Sequence, residues 1–165
     1  MINPALTAAA RALLELCRER KLKITTAESC TGGLVAATLT DIPGSSDIVD
    51  RAFVTYSNAA KQAMLGVPPA LLERFGAVSQ ETAEAMARGA LAHAPVQLAV
   101  SITGIAGPGG AVPGKPVGLV HFAACSRTRR LVHQERQFGD IGRTQVREAS
   151  VAVALAMLRD LAAAE

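Results

Sequence analysis

The chain has 165 residues, a net charge of +3 and three cysteines, Cys17, Cys30 and Cys125. This length suits one domain, residues 1–165, with a sizeable buried core. Three cysteines at no ligand-like spacing argue against a disulfide framework and a structural zinc site, and they favour a reducing cytoplasm. No apolar run has the length of a membrane span, and one tyrosine without tryptophan argues against a stacking surface for single-stranded nucleic acid.

The first half of the chain predicts alternating helices and strands. Residues 4–20 place apolar side chains at helical spacing, and a β-branched run predicts a strand over residues 23–28. A helix is expected from just after Ser29 to about residue 40. A second strand, rich in β-branched and aromatic residues, is expected over residues 49–57.

Three more helices are predicted before the next strand. A short helix begins at Asn58 and stops at Gly66, and another begins at Pro68. Ser79 stands in a sequence that resembles a capping box, with serine at the N-cap. A longer helix is therefore expected from there to about His93.

The second half of the chain predicts three strands and a closing helix. A strand over residues 96–103 leads into a loop, rich in glycine and proline, that extends to residue 116. Two runs joined by a short turn, 117–125 and 130–138, are typical of a β-hairpin. The last helix is expected over about residues 144–162.

This order of elements predicts the α/β class. Alternating strands and helices favour parallel pairing, whereas the hairpin adds an antiparallel pair. We expect a three-layer α/β/α sandwich on a mixed, mostly parallel sheet of about five strands. Ligands of such sheets bind at the carboxyl ends of strands, and three of these ends are polar: Glu28-Ser29, Tyr56-Ser57 and Thr103-Gly104.

Ser29 stands between the first strand and an apolar, helix-compatible run. A hydroxyl at such a junction lies near the free N–H groups and the positive dipole of the first helical turn. An oxygen nucleophile, or the oxyanion of an acyl-transfer intermediate, is stabilised there. The alternative is a serine N-cap followed by glycines that only allow close helix packing.

No histidine is placed for a Ser-His-Asp triad, because His93 ends a helix and His121 and His133 lie in the hairpin, where they could be partners across it. Lys61 is the candidate base, since it is the only charged residue between positions 52 and 69. A partly desolvated lysine has a lowered pKa and can accept a proton. Tyr56 could orient it or relay a proton. Taken singly, these two residues also fit a solvated helix and a half-buried strand.

Two features of the second half could bind an anion. The loop at residues 104–110 is rich in glycine, so its backbone N–H groups can approach a ligand closely. Arg143 and Arg147 lie one helical turn apart, and two guanidiniums at this spacing can clamp a phosphate. The alternative for this pair is a solvated helix face with Glu148 as a neighbour.

Four motifs in order resemble the CinA carboxy-terminal domain family, and the resemblance extends from about residue 8 to residue 161. They are Ala27-Glu28-Ser29-Cys30-Thr31-Gly32-Gly33, Tyr56-Ser57-Asn58-x-x-Lys61, Ile102-x-Gly104-Ile105-Ala106-Gly107-Pro108-x-Gly110 and Lys115-Pro116-Val117-Gly118. The chain departs from the family at residues 139–143, where Gly-Asp-Ile-Gly-Arg replaces a common Gly-Asp-Arg.

The resemblance implies a three-layer fold and hydrolysis of the carboxamide of nicotinamide mononucleotide to nicotinic acid mononucleotide and ammonia, a step of pyridine nucleotide salvage. It implies a nucleophile at Ser29, activated by Lys61 and Tyr56. No metal and no cofactor are expected. The expected partner is a small-molecule nucleotide, with no nucleic acid and no membrane, and homo-oligomerisation stays open.

The expected mechanism is acyl transfer, in which neutral Lys61, oriented by Tyr56, takes the proton of Ser29. The expected substrate-binding residues are Thr31, Gly32 and Gly33 around the oxyanion, Thr103, Gly104 and Gly107 in the nucleotide pocket, and Arg143 or Arg147 at the phosphate.

Two alternatives stay open. The chain could be a nucleotide-binding or protein-interaction module without catalysis. It could also be a thiol amidase that uses Cys30, although a residue turned about 100° from Ser29 by the helical period more naturally faces the core.

Overall fold

The computed structural model describes residues 1–165 as a five-stranded sheet with helices packed on both faces. The strands are β1 (Ile24–Glu28), β2 (Val49–Val54), β3 (Leu98–Gly104), β4 (Leu119–Ser126) and β5 (Leu131–Gln137). The helices are α1 (Pro4–Arg20), α2 (Leu34–Thr40), α3 (Asn58–Leu65), α4 (Pro69–Phe75), α5 (Gln80–Ala92) and α6 (Arg143–Ala164), with a 3₁₀ turn at Ser45–Asp47. None of these helices has the length and apolar character needed to cross a membrane.

The strand order is β2-β1-β3-β4-β5. Strand β1 pairs in parallel with β2 and β3, and β4 is antiparallel to both β3 and β5. Only β4 is therefore reversed, which confirms the predicted three-layer sandwich on a mixed, mostly parallel sheet. Since β2 and β3 lie on opposite sides of β1, a crevice opens at the carboxyl ends of these three strands.

Two hydrophobic cores join the layers. On one face of the sheet, α1, α2 and α6 contribute residues such as Leu13, Leu39 and Leu158. On the other face, α3 and α5 contribute residues such as Leu65 and Met86. Every residue of β1 is fully buried, as expected for a central strand covered on both faces. Ser29, which follows the end of β1, therefore lies at the floor of the crevice rather than on an open surface.

The helix that follows β1 begins later than the sequence predicts. Residues 29–33 form a turn, and α2 starts at Leu34. Gly32 and Gly33 have φ values of +57° and +96°, in the left-handed region that favours glycine, so the helix cannot begin before them. The expectation that Ser29 stands directly at a helix N-terminus is thus wrong.

The first turn of α2 is capped by a carboxylate instead of a serine. Glu28 is fully buried, and its two carboxylate oxygens accept hydrogen bonds from the N–H groups of Val35 (2.9 Å) and Ala36 (3.0 Å). A negative group at this end also complements the helix dipole. The N–H donors that the sequence offered to a substrate oxyanion at this helix are therefore already occupied.

Serine caps start the two helices on the other side of the crevice. The Ser57 hydroxyl accepts from the N–H of Ala60 (3.0 Å) and opens α3, which brings Lys61 into its first turn. Ser79 accepts from the N–H of Thr82 (3.1 Å), which confirms its predicted N-cap role at α5. Strand β2 ends at Val54, three residues before the predicted boundary, so Tyr56 stands in the connection to α3.

Helix α3 approaches α5 closely because α5 has a glycine at the contact. Gly89 is buried, and a Cβ atom there would overlap the carbonyl oxygen of Leu65 at the end of α3. Glycine inside a helix costs about 1 kcal/mol relative to alanine. The close approach sets the height of α3 over the sheet, and with it the position of Lys61.

Candidate active site

A cavity of about 300 Å³ lies at the carboxyl ends of β1 and β3 and beside the β2–α3 connection. All three strand ends singled out in the sequence contribute to it. Its lining comprises Ser29, Cys30, Tyr56, Asn58, Lys61, Ala77, Val78, Thr103, Arg143, residues 104–107 and residues 109–110. Its volume is at the lower end of the range for small-molecule sites, roughly 300–1,000 Å³.

Ser29 and Lys61 meet at the base of this cavity. The Nζ atom of Lys61 lies 3.0 Å from Oγ of Ser29 and 2.9 Å from the carbonyl oxygen of Thr55. Lys61 is only 1% exposed, and Ser29 is also buried. Two partners fix the amine, so it points at the hydroxyl with little freedom to turn away.

Burial favours the neutral form of the Lys61 amine. Removal from water lowers the pKa of its amine below the ordinary lysine value. Lys61 takes part in no salt bridge, so no carboxylate restores the charged form. A neutral amine can donate to Thr55 and use its lone pair for the Ser29 proton at the same time.

Tyr56 has a different partner from the one expected. Its side chain is 60% exposed, and its hydroxyl accepts a hydrogen bond from Nη2 of Arg143 (2.6 Å). Nη1 of Arg143 donates to the carbonyl oxygen of Gly107 (2.8 Å). The expectation that Tyr56 orients Lys61 is therefore wrong, because the backbone of Thr55 holds the amine.

The two arginines of α6 contact different parts of the molecule. Arg143 lines the cavity, whereas Arg147 does not. Nη2 of Arg147 donates to the carbonyl oxygen of Thr31 (2.8 Å), on the turn that follows Ser29. The arginines lie one turn apart, but they do not converge on one point as a phosphate clamp would require.

The turn residues proposed for the oxyanion also lie outside the cavity lining. Thr31, Gly32 and Gly33 are absent from it, and the N–H of Gly32 already donates to the carbonyl oxygen of Ser29 (3.0 Å). Cys30 does line the cavity, and its N–H donates to no backbone carbonyl. Its own thiol, a weak acceptor, is the partner of this N–H, so a substrate oxyanion, a stronger acceptor, can take that place at the residue directly after the serine.

The thiol of Cys30 is held in an inert form. Its side chain is buried in the core beneath α1, α2 and α6. Burial raises its pKa to about 12, and the hydrogen bond from its own backbone N–H and the nearby charges of Glu28, Arg147 and Lys61 are smaller influences. At neutral pH almost no thiolate is present, and the thiolate is the reactive form of cysteine.

Thr103, Gly104 and Gly107 line the cavity, as predicted from the sequence. The hydroxyl of Thr103 donates to the carbonyl oxygen of Ala77 (2.7 Å), so it fixes the segment before α5. A Cβ atom at Gly104 would lie 2.7 Å from the Val120 side chain, which shows how tightly this wall is packed. Gly107 precedes a cis peptide bond and has a φ of +80°.

The histidines of the hairpin pair with one another outside the cavity. Nδ1 of His121 lies 3.0 Å from Nε2 of His133, with the rings stacked, as the predicted pairing across the hairpin requires. Burial lowers the pKa of His121. No three His, Cys, Asp or Glu side chains are arranged to hold a metal ion.

Sequence reasoning missed two contributions to the site, the Thr55 carbonyl and the Glu28 carboxylate. The Thr55 carbonyl that holds Lys61 is a backbone group, which any residue type supplies. Glu28 had a weak signal: the N-cap position of α2 is Gly33, and no serine, threonine, aspartate or asparagine directly precedes Leu34 to cap it. A helix start without a local cap needs a distant acceptor, and the carboxylate that ends β1 was available.

Comparison with known proteins identifies the family of this chain. The sequence model of the CinA C-terminal domain matches residues 6–162. A relative from Pseudomonas putida, named nicotinamide-nucleotide amidohydrolase PncC, is 47% identical over 154 residues, covering 93% of this chain and 94% of the relative. A CinA-like protein of Mycobacterium marinum is 51% identical over 137 residues, but this chain spans only 32% of its length.

Solved structures have the same fold. The competence/damage inducible protein CihA from Agrobacterium tumefaciens superposes with a TM-score of 0.96 at 50% identity, covering 98% of both chains. A CinA superfamily protein from Escherichia coli superposes with a TM-score of 0.90 at 32% identity, covering 98% of this chain and 94% of that one. The family match over nearly the whole sequence and these superpositions agree: the chain belongs to the CinA C-terminal domain family.

Proposed function

We propose that the chain hydrolyses the carboxamide of nicotinamide mononucleotide to nicotinic acid mononucleotide and ammonia, with Ser29 as nucleophile and Lys61 as base. The observation that carries the proposal is the 3.0 Å contact between Lys61 Nζ and Ser29 Oγ inside a cavity, with both groups buried. The name of the Pseudomonas putida relative supports the choice of substrate.

The first half-reaction forms an ester. Lys61, in the neutral form that burial favours, takes the proton of Ser29 while Oγ bonds to the carboxamide carbon. The protonated amine then gives this proton to the departing nitrogen, the carbon–nitrogen bond breaks, and ammonia leaves. Lys61 is neutral again and ready for the second half-reaction.

The second half-reaction consumes water. Lys61 takes a proton from a water molecule, the water oxygen bonds to the acyl carbon, and the bond to Ser29 Oγ breaks as the proton returns to Oγ. The product is the carboxylic acid. Lys61 acts as the base in both half-reactions. This role suits a buried lysine whose amine is held in place by the Thr55 carbonyl oxygen.

The oxyanion of each tetrahedral intermediate is assigned to the backbone N–H of Cys30. This donor follows the nucleophile directly and is free of a backbone acceptor. A fixed N–H dipole aimed at developing charge is worth about 2.7–4 kcal/mol in other acyl-transfer sites. This assignment replaces Gly32, whose N–H is occupied by Ser29.

The substrate phosphate is assigned to Arg143 alone. Its guanidinium lines the cavity rim and is exposed, with Tyr56 and the Gly107 carbonyl as its neighbours. Arginine presents a planar fork that fits phosphate oxygens. Tyr56, which contacts Arg143 and is itself largely exposed, is placed to cover a bound nucleotide rather than to move the proton.

The test is ammonia release from nicotinamide mononucleotide by the purified chain, with and without a chelator. We expect turnover that survives chelation and disappears in Ser29→Ala, while calorimetry still detects substrate binding by that variant. Cys30→Ala, the matched change at the next residue, should keep the chemistry. Binding without ammonia release by the wild type would favour a nucleotide-binding module. Full activity of Ser29→Ala beside an inactive Cys30→Ala would favour the thiol mechanism.

A further inference from the structure

Arg147 is tied to the segment that carries the nucleophile, not to the cavity. Its Nη2 atom reaches from α6 to the Thr31 carbonyl oxygen at 2.8 Å. Its Nε atom is buried without any hydrogen-bond partner. An unpaired buried donor is costly, on the order of 1–3 kcal/mol. Because the Arg147 side chain keeps an unpaired buried donor and lies outside the substrate cavity, we expect it to have a role other than substrate binding.

The peptide unit between Thr31 and Gly32 is fixed at both polar ends. Its carbonyl oxygen accepts from Arg147 and from the N–H of Leu34 (3.0 Å), and its N–H donates to the carbonyl oxygen of Ser29 (3.0 Å). The turn is therefore clamped at the third peptide unit after the serine. The guanidinium supplies the only contact among these that comes from outside the turn and its own helix.

The turn lies directly against this arginine. Gly32 has a φ of +57°, and a Cβ atom there would lie 3.5 Å from Nη2 of Arg147. At the other end of the turn, the N–H of Ser29 donates to the carbonyl oxygen of Ile102 on β3 (2.9 Å). The nucleophile is thus held between β3 on one side and α6 on the other.

We propose that Arg147 is a positioning residue, which fixes the turn at residues 29–33 so that Oγ of Ser29 and the N–H of Cys30 keep their aim at the acyl carbon. This proposal rests on the proposed function. It separates the two arginines of α6: Arg143 recognises the substrate, and Arg147 orders the nucleophile. A charge-assisted bond to a carbonyl is stronger than a neutral one, which explains a guanidinium at this place.

Arg147→Gln tests this role, with Arg127→Gln as the matched control. Arg127 also donates to backbone carbonyls, those of Val96, Leu91 and Ala94, but at the opposite end of the sheet. We expect kcat of Arg147→Gln to fall roughly 100-fold, as for a misplacement of about 1 Å, with KM kept within about threefold. The preference for nicotinamide mononucleotide over its nucleoside should not change, and Arg147→Lys should recover part of kcat. Arg127→Gln should lower the melting temperature and leave kcat unchanged.

A second measurement does not depend on the substrate. A small sulfonyl fluoride labels an activated serine: Oγ bonds to sulfur, fluoride leaves, and Lys61 takes the proton. We expect Arg147→Gln to slow labelling of Ser29 while Arg127→Gln labels at the wild-type rate. A wild type that labels but does not release ammonia would overturn the proposed function and leave the role of Arg147 supported by its slower labelling. A raised KM with lost nucleotide preference, or normal kcat and labelling in a folded Arg147→Gln, would overturn the positioning role.

Discussion

The hydroxyl of Tyr56 accepts a 2.6 Å hydrogen bond from the guanidinium of Arg143, although 87 positions separate them in the chain. The bond joins the β2–α3 connection to the start of α6 across the mouth of the cavity. Both side chains are exposed, so a bound phosphate can compete for the arginine without unfolding anything.

Arg143→Ala should weaken binding of nicotinamide mononucleotide by about 1.5–3 kcal/mol, the worth of a hydrogen bond to a charged group. The nucleoside, which has no phosphate, should bind the variant and the wild type alike. Calorimetric titration of both ligands measures this difference. Tyr56→Phe is the matched control, since it removes the partner hydroxyl and keeps the guanidinium. Equal loss of affinity for both ligands in Arg143→Ala would contradict a phosphate contact.

Activity should rise with pH as Lys61 loses its proton, because only the neutral amine accepts the proton of Ser29. Burial lowers the pKa of Lys61, so this ascending limb should lie below the ordinary lysine value of 10.5. Lys61→Met should reduce kcat by about 10²–10⁴-fold, the usual contribution of a positioned base. The pH dependence of kcat/KM for ammonia release provides the check. If the ascending limb of the pH profile persists in the residual activity of Lys61→Met, the titrating group is not Lys61.

The same lysine makes stability depend on pH. The unfolded chain keeps a proton on Lys61 up to the ordinary pKa, whereas the folded chain releases it at lower pH. Between these two pKa values the unfolded state binds more protons, so the free energy of unfolding should rise as pH increases through that window. Urea titrations at several pH values should show this rise in the wild type and lose it in Lys61→Met. Lys23→Met, a change at an exposed lysine, should keep it.

Iodoacetamide should not inactivate the folded protein near neutral pH. The thiol pKa of Cys30 is raised to about 12, and those of Cys17 and Cys125 to about 11, in each case chiefly by burial. Mass spectrometry after brief treatment should find all three unmodified, and the same treatment in urea should label all three. Rapid labelling of Cys30 in the folded state, with parallel loss of activity, would revive the thiol alternative.

Glu28→Gln should destabilise the fold by about 1–3 kcal/mol, because an amide offers one oxygen where the carboxylate accepts from both Val35 and Ala36. Asn3→Ala is the control for an ordinary helix cap, since Asn3 accepts from the N–H of Ala5 at the exposed start of α1. It should cost about 1 kcal/mol. Urea unfolding of both variants measures the difference, and equal costs would show that burial adds nothing to the Glu28 cap.

The order of elements was predictable because its signals are local. Helix α1 was expected over residues 4–20 and covers Pro4–Arg20, since Pro4 and the apolar spacing both act within the helix itself. The start of α2 was not predictable in the same way. Its cap, Glu28, lies six residues before Leu34, and only the two glycines with positive φ between them make that reach possible.

The sequence predicted which residues form the site better than it predicted the contacts between them. Lys61 stood out as the lone charge in an otherwise uncharged stretch, and burial of its own side chain is what lowers its pKa. The partner of Tyr56 was misjudged because Arg143 arrives from the far end of the chain, which no local pattern encodes. Likewise, the spacing of Arg143 and Arg147 fixes their shared helix but not which carbonyl each side chain reaches.

Gly89 shows how helix propensity alone misjudges a residue at a close approach between two helices. Alanine there is the better helix former by about 1 kcal/mol, so a screen for thermal robustness based on helix propensity would nominate the exchange. Its methyl group would meet the Leu65 carbonyl and push α3 outward, and Lys61 would move with that helix away from Ser29. In a mutagenesis library, position 89 should therefore tolerate few residues among active clones, although Gly89 does not line the cavity.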